Sequence, residues 1–244
     1  MKKTVLIALA LAANATAADF SIGASAGVWN AEPSGNAAYK GDSFDLKNDA
    51  GLKKDTNFYV SGYLEHAVPV LPNLLIERIA FSSSGTGELD IDFGGKHFSG
   101  KTETSLDLNH LYAIGYYLLP VPVVDLRLGL GADMIDGSLE MHSVGQSEKA
   151  DLSAPLPVAY AGFGFDIGAI NLSFLADAKY LAYDGSHYLD AAAKVGWAFV
   201  SYGADLLVEV GYRHQELYLD NLDAIDANTD IKISGVFGGL SARY

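Results

Sequence analysis

From position 20 onward, apolar and polar residues alternate with a period of two. Phe20, Ile22, Ala24, Ala26 and Val28 share one parity; Ser21, Gly23, Ser25, Gly27 and Trp29 share the other. Strict alternation is the main sequence signal for a strand with two unlike faces. It recurs most cleanly at 124–133, where Val124, Leu126, Leu128, Leu130 and Ala132 oppose Asp125, Arg127, Gly129, Gly131 and Asp133. Further strands are predicted near 56–67, 74–82, 104–118, 156–167, 172–180, 189–199, 206–213 and 231–244. Prolines cannot donate to a ladder, so 68–73 and 119–122 read as turns. Segments 168–171 and 201–203 are short connections too. The stretches 31–55, 82–104, 136–153 and 217–230 read as long, polar connections. Strands three and four are expected to continue into a protruding hairpin that turns near Gly94-Gly95.

The closing strand fixes the class. Val236, Leu240, Ala242 and Tyr244 lie on one face, and Phe237, Ser241 and Arg243 on the other, with glycines between. An apolar face ending in an aromatic, backed by a small mixed face, suits a wall between lipid and a polar lumen. The prediction is an all-β, transmembrane antiparallel up-and-down barrel of ten strands, with eight as the alternative. An even count with short turns at one end and long loops at the other suits an outer-membrane barrel. Only the connection at 184–186 breaks that asymmetry. The Glu77-Arg78 pair leaves the third strand's parity ambiguous; Arg78 is placed inside and Glu77 at the inner membrane interface.

Residues 1–17 are expected to form a signal peptide. Lys2 and Lys3 precede a nine-residue apolar run, 5–13, and Ala15-Thr16-Ala17 follows it, with cleavage after Ala17 or Ala18. The run is short of the ~18 residues a spanning helix needs. Residues 18–244 then form the barrel domain. The chain has 244 residues, no cysteine and a formal charge of −14; loss of the two lysines makes it −16. That charge argues against nucleic acid as a partner, and without cysteine neither a disulfide nor a lipid-modified cysteine is expected.

Four stretches carry a family resemblance: Asp45-Leu46-Lys47-Asn48-Asp49-Ala50-Gly51-Leu52; Glu65-His66-Ala67-Val68-Pro69-Val70-Leu71-Pro72-Asn73; Gly211-Tyr212-Arg213; and Gly238-Gly239 before the terminal aromatic. In this order they resemble an uncharacterised proteobacterial outer-membrane β-barrel family with a C-terminal Gly-Gly element. Ala50 and Ala67 depart from the leucine and proline of that pattern. The resemblance implies an outer-membrane barrel and carries no activity.

Candidate chemistry gathers on the inward parity. Glu65, Asp107, Asp125, Arg127, Asp133, Asp177, Lys179, Asp190, Lys194, Glu209 and Arg213 bring both signs to neighbouring strands. They read as a selective pore lining or as a lumen plugged by paired charges. The second is preferred, because eight strands leave an interior filled by side chains and open porins need 16 or more. Tyr112, Tyr116, Trp197, Phe199, Tyr212 and Tyr244 are assigned to aromatic girdles at the two interfaces. Tyr244 also serves as the terminal signal read by the barrel assembly machinery. His97-Phe98-Ser99 looks like the His-x-Ser pair of lipid A deacylases, a serine activated by histidine with a carboxylate orienting the ring. Asp90 and Asp92 resemble the paired aspartates of omptin proteases, whose Asp-x-His is missing here. Glycines flank the His-x-Ser pair, and a non-enzymatic envelope role, structural or ligand-binding, is preferred over a surface hydrolase or a narrow solute channel. Asp220, Asp223, Asp226 and Asp230 lack calcium-loop spacing and read as a solvated acidic loop. His66, His110, His142, His187 and His214 form no ligand cluster, so no metal or cofactor is expected. Outer-membrane lipids and lipopolysaccharide are the expected surroundings, and the protein is expected to be a monomer.

Overall fold

A computed structural model describes residues 20–68, 70–201, 203–222 and 227–244. The expected signal peptide and its cleavage site, Pro69, Tyr202, Asp223 and Asp226 lie outside the described residues, as does the side chain of Asp220. The strands are β1 (Phe20–Tyr39), β2 (Phe44–Asp45), β3 (Asp55–His66), β4 (Asn73–Phe93), β5 (Lys96–Leu119) and β6 (Asp125–Ser143). They continue as β7 (Gln146–Ile167), β8 (Leu172–Tyr183), β9 (Ser186–Ser201), β10 (Asp205–Leu222) and β11 (Ala227–Arg243). One sheet runs in chain order and closes on itself where β11 pairs antiparallel with β1. The two-residue β2 lies beside β1, so the closed wall has ten strands.

The closing seam runs from Gly23↔Arg243 to Tyr39↔Ala227. Tyr244 extends it: its N–H donates to the Ile22 carbonyl at 2.8 Å, and the Ile22 N–H donates back at 3.0 Å. Closure leaves no free edge along the seam, which is how a barrel avoids edge pairing.

The wall reverses its polarity partway along. On β6, Leu126, Leu128, Leu130, Ala132 and Met134 face outward while Arg127 and Asp133 face in; beyond that, Ile135, Leu139 and Met141 face in and Asp136 and Glu140 face out. β1 turns over at Val28-Trp29, and β4 between Ile76 and Ile79. From Leu126 to Met134 the band covers ~27 Å along the strand, at ~3.4 Å per residue. A tilt of ~40° reduces this to ~21 Å, close to the ~25 Å apolar band of a barrel in a membrane. The other half has the polarity of a protein in water, apolar inside and polar outside.

This reversal corrects several sequence expectations. The hairpin expected to continue strands three and four turns at 94–95 as anticipated, whereas the expected loop at 136–153 is strand on both sides of a tight turn at 144–145. The hairpin at 94–95 needs positive φ at both central residues, and Gly94 (60°) and Gly95 (77°) supply it. β1 and β11 likewise extend through parts of the expected loops 31–55 and 217–230. Ten strands stand and eight do not, because every hairpin belongs to the closed wall.

The segment Asp45 to Leu52 fills the gap between β1 and β4 at the hairpin end. Asp45 Oδ1 accepts from the Lys47 and Asn48 N–H groups, at 2.9 and 2.6 Å. Asp49 Oδ2 accepts from the Asp45 N–H at 2.8 Å. The two carboxylates thus tie the loop to its own backbone, as aspartates do in turns. Leu46, Ala50 and Leu52 point into the core, and Leu52 bridges Gly85 on β4. The first motif of the family resemblance therefore has a structural role: it seals the wall.

Candidate functional site

The lumen has three levels. Nearest the short turns is a chamber of about 170 Å³. Tyr59, Tyr63, Tyr116 and Tyr160 wall it, with Arg127, Lys194 and Glu209 among the charged groups that face it. Its large rings fit because the neighbouring strand offers glycine beneath them. A Cβ on Gly27 would lie 2.7 Å from the Tyr59 Cε1, and one on Gly129 2.7 Å from the Tyr116 Cβ. Arg127 Nη2 lies 3.4 Å from Glu65, whose Oε1 accepts from the Tyr116 hydroxyl at 2.7 Å. Lys194 Nζ reaches both oxygens of Glu209, at 2.9 and 3.0 Å. At the rim Arg243 spans Asp205 (2.8 Å) and Asp166 (3.2 Å).

The middle level is a buried charge cluster. Lys179 Nζ donates to Glu77 at 2.7 Å and to Asp177 at 2.9 Å, and lies 3.6 Å from Asp190. Arg213 Nη2 donates to Glu77 at 2.5 Å, and its Nε is 3.0 Å from Asp190. The Lys179 and Asp190 side chains are wholly buried. Lys179 also sits 4.9 Å from the centre of the Tyr112 ring. Above it, His110 is stacked between Tyr112 and Tyr188, whose hydroxyls are hydrogen-bonded to each other. His110 Nδ1 is 2.7 Å from the Asp133 carboxyl group, within hydrogen-bond distance. Isolated buried ions are costly in a low-dielectric interior, and mutual pairing offsets the cost.

The third level is apolar. Trp29, Phe81, Phe93, Phe98, Ile135, Met141 and Ile233 are buried together with Leu46, Ala50 and Leu52. The Trp29 indole N–H donates to the Gly235 carbonyl at 3.2 Å, so even its one polar atom is satisfied.

Of the expected lumen residues, Asp133, Asp177, Lys179, Asp190 and Arg213 join the middle cluster. Glu65, Asp125, Arg127, Lys194 and Glu209 serve the chamber. Asp107 does not: it lies on the outward parity of β5. The Glu77-Arg78 assignment is reversed, with Glu77 buried at the centre and Arg78 on the outer wall. Tyr112 and Tyr116 leave the girdle, since both are inside the barrel. The physical reason is common to β5. Leu106 and Leu108 look lipid-facing by alternation, but they lie past the polarity reversal and point inward, carrying Tyr112 and Tyr116 with them. Trp197, Phe199, Tyr212 and Tyr244 are exposed on the outer wall as girdle residues should be. His110 is buried. Tyr188 was not singled out; its alternation with Asp190 was the available signal.

On the β4–β5 hairpin, His97 Nδ1 lies 2.9 Å from Asp92 and Nε2 3.2 Å from Asp90. Both ring nitrogens thus face carboxylates. The hydrogen bond to Asp92, then the charges of Asp92 and Asp90, hold the imidazole above its ordinary pKa. Among the described residues no bond links His97 to Ser99, and no cluster of histidine and carboxylate side chains could hold a metal ion.

The closed register and the outward apolar band define a ten-stranded antiparallel β-barrel. No family model matches the chain, and no curated protein matches it. Solved structures share the architecture. Ail, the attachment invasion locus protein of Yersinia pestis, solved with the heparin analogue sucrose octasulfate, is 15% identical. It aligns over 91% of this chain and 99% of its own, with a TM-score of 0.39. The toluene transporter TodX of P. putida is 8% identical over 93% of this chain and 90% of its own, with a TM-score of 0.33. OmpT, an outer membrane protein of Vibrio cholerae, is 10% identical over 91% and 99%, with a TM-score of 0.21.

Proposed function

We propose that this protein is a monomeric, non-enzymatic barrel of the bacterial outer membrane whose lumen does not conduct. The short-turn end faces the periplasm and the hairpin end faces outward. The observation that carries the reading is the stacking of two seals: the buried cluster around Lys179 and the apolar plug above it. Ten strands leave a narrow interior, and the packing of buried side chains above the chamber supports a closed path. The role is structural, or ligand-binding at the polar outer hairpins or the periplasmic chamber. The terminal Tyr244, ending a strand that completes the wall, supports delivery by the barrel assembly machinery. Lipopolysaccharide and phospholipid surround the band. A narrow solute channel would need a path through both seals. A surface hydrolase would need His97 free to take a proton from Ser99, whereas its ring nitrogens face Asp92 and Asp90.

Purified protein in a planar bilayer tests the reading. Membranes that stay silent, apart from rare small events, agree with it. Regular conductance steps of porin size contradict it. Lipid A from cells making the protein should keep all its acyl chains by mass spectrometry; loss of one chain would favour the hydrolase.

A further inference from the structure

Arg78 is the one charged side chain on the outward apolar band among the described residues. The other outward positions of the band carry no charge: on β4 Leu74 and Ile76, on β5 Leu111 and Ala113, on β6 Leu126 through Met134 at alternate residues. Its cross-strand neighbours are Val60 on β3 and Leu111 on β5, and Leu111 in turn pairs with Met134. The next rung toward the hairpins reads Ala80, Asn109 and Asp136. Arg78 therefore occupies the last apolar rung of this wall, where hydrocarbon gives way to headgroups. It is exposed, and among the described residues no carboxylate pairs with it.

An unpaired guanidinium facing hydrocarbon costs free energy, most at mid-depth and least at the interface. An arginine lays its stem along apolar surface and lifts its charged end to polar groups. Its planar fork matches two oxygens of a phosphate. Asn109, diagonal to it on the adjacent strand, adds an amide within reach of the same group.

We infer that Arg78 is a lipid-binding residue that takes a phosphate of lipid A in the outer leaflet. The assignment rests on the proposed orientation, because the rung lies at the hairpin side of the band. It makes the barrel a receptor for one annular lipid on the β3–β4–β5 face.

The test uses the full mature chain in phosphate-free detergent micelles. The probes are bisphosphorylated lipid A, its dephosphorylated form and dioleoylphosphatidylglycerol. The wild type should bind bisphosphorylated lipid A on the order of ten-fold tighter than Arg78→Gln, the weight of one charge-assisted phosphate bond. Arg78→Lys should recover part of the difference. For the dephosphorylated lipid, wild type and Arg78→Gln should agree. Arg78→Leu should match the wild type's unfolding midpoint without lipid A, which separates binding from folding. Equal binding by wild type and Arg78→Gln overturns the inference, and so does an equal preference for phosphatidylglycerol. Orientation is checked apart, by labelling a cysteine placed at Gly145 on intact cells. A label that reacts while the binding difference is absent sinks the Arg78 site alone. A label that never reacts sinks the orientation on which both readings stand.

Discussion

Replacing Lys179 with methionine would keep a stem of similar length and remove one buried charge. In the wild type that ammonium faces Glu77, Asp177 and Asp190 at 2.7, 2.9 and 3.6 Å. At an effective dielectric of ~20, each pair attracts by roughly 5 kcal/mol. Most of this offsets the cost of stripping water from the ions, several kcal/mol apiece. What counts is the state left behind. Three carboxylates would share Arg213, which reaches only Glu77 and Asp190. Breaking a buried pair in this way costs about 3–5 kcal/mol. The double variant Lys179→Met, Glu77→Gln removes one charge of each sign, and should lose less than the sum of the singles by about 1–3 kcal/mol. Urea unfolding of the barrel in micelles, followed by tyrosine and tryptophan fluorescence, measures both. If Lys179→Met unfolds within about 1 kcal/mol of the wild type, the cluster is not holding the barrel together as described.

Two further perturbations read other parts of the structure. Gly239→Ala should destabilise by about 1–3 kcal/mol through overpacking, since its Cβ would meet the Ala26 carbonyl and the Tyr59 hydroxyl. Gly238→Ala, whose Cβ has only a 3.4 Å neighbour, should be near neutral in the same unfolding assay. For His97, NMR should find a pKa above that of an unfolded peptide, and Asp92→Asn should lower it. Because the folded-state value is the raised one, the associated stabilisation is complete below the unfolded pKa and fades as pH climbs through the folded pKa. A ring that titrates at or below the peptide value contradicts the carboxylate clasp.

Much of this was legible in the sequence, and the failures have one origin. Alternation placed the strands, and the two proline turns marked one end. Apart from Asp107, which faces outward, the charges read as inward from Glu65 to Arg213 were placed by alternation, since successive strand residues point to opposite faces. What alternation alone cannot show is which parity faces lipid once a strand leaves the membrane. The signal was present as a phase change. Apolar residues sit on even positions through Met134 and on odd ones from Ile135, and Val28-Trp29 shows the same adjacency on β1. Read with that in mind, Ile76 and Ile79 would have sent Glu77 inward and Arg78 outward. The central meeting of Glu77, Lys179 and Arg213 was not legible, because it joins strands far apart in the chain across the lumen. The role of Asp45 and Asp49 as a self-tied loop was likewise hidden, since turn aspartates look like any solvated charges.

The polarity reversal is the claim on which seals, girdle and lipid site depend. The chain has no cysteine, so single cysteines can be placed along β5 and spin-labelled without background. Accessibility to oxygen and to a water-soluble nickel complex would then be read in reconstituted vesicles. Labels at Leu111, Ala113 and Tyr117 should be open to oxygen and closed to nickel, while those at Glu103, Ser105 and Asp107 show the opposite. Nickel access at Leu111 and Ala113, equal to that at Glu103, would contradict the account.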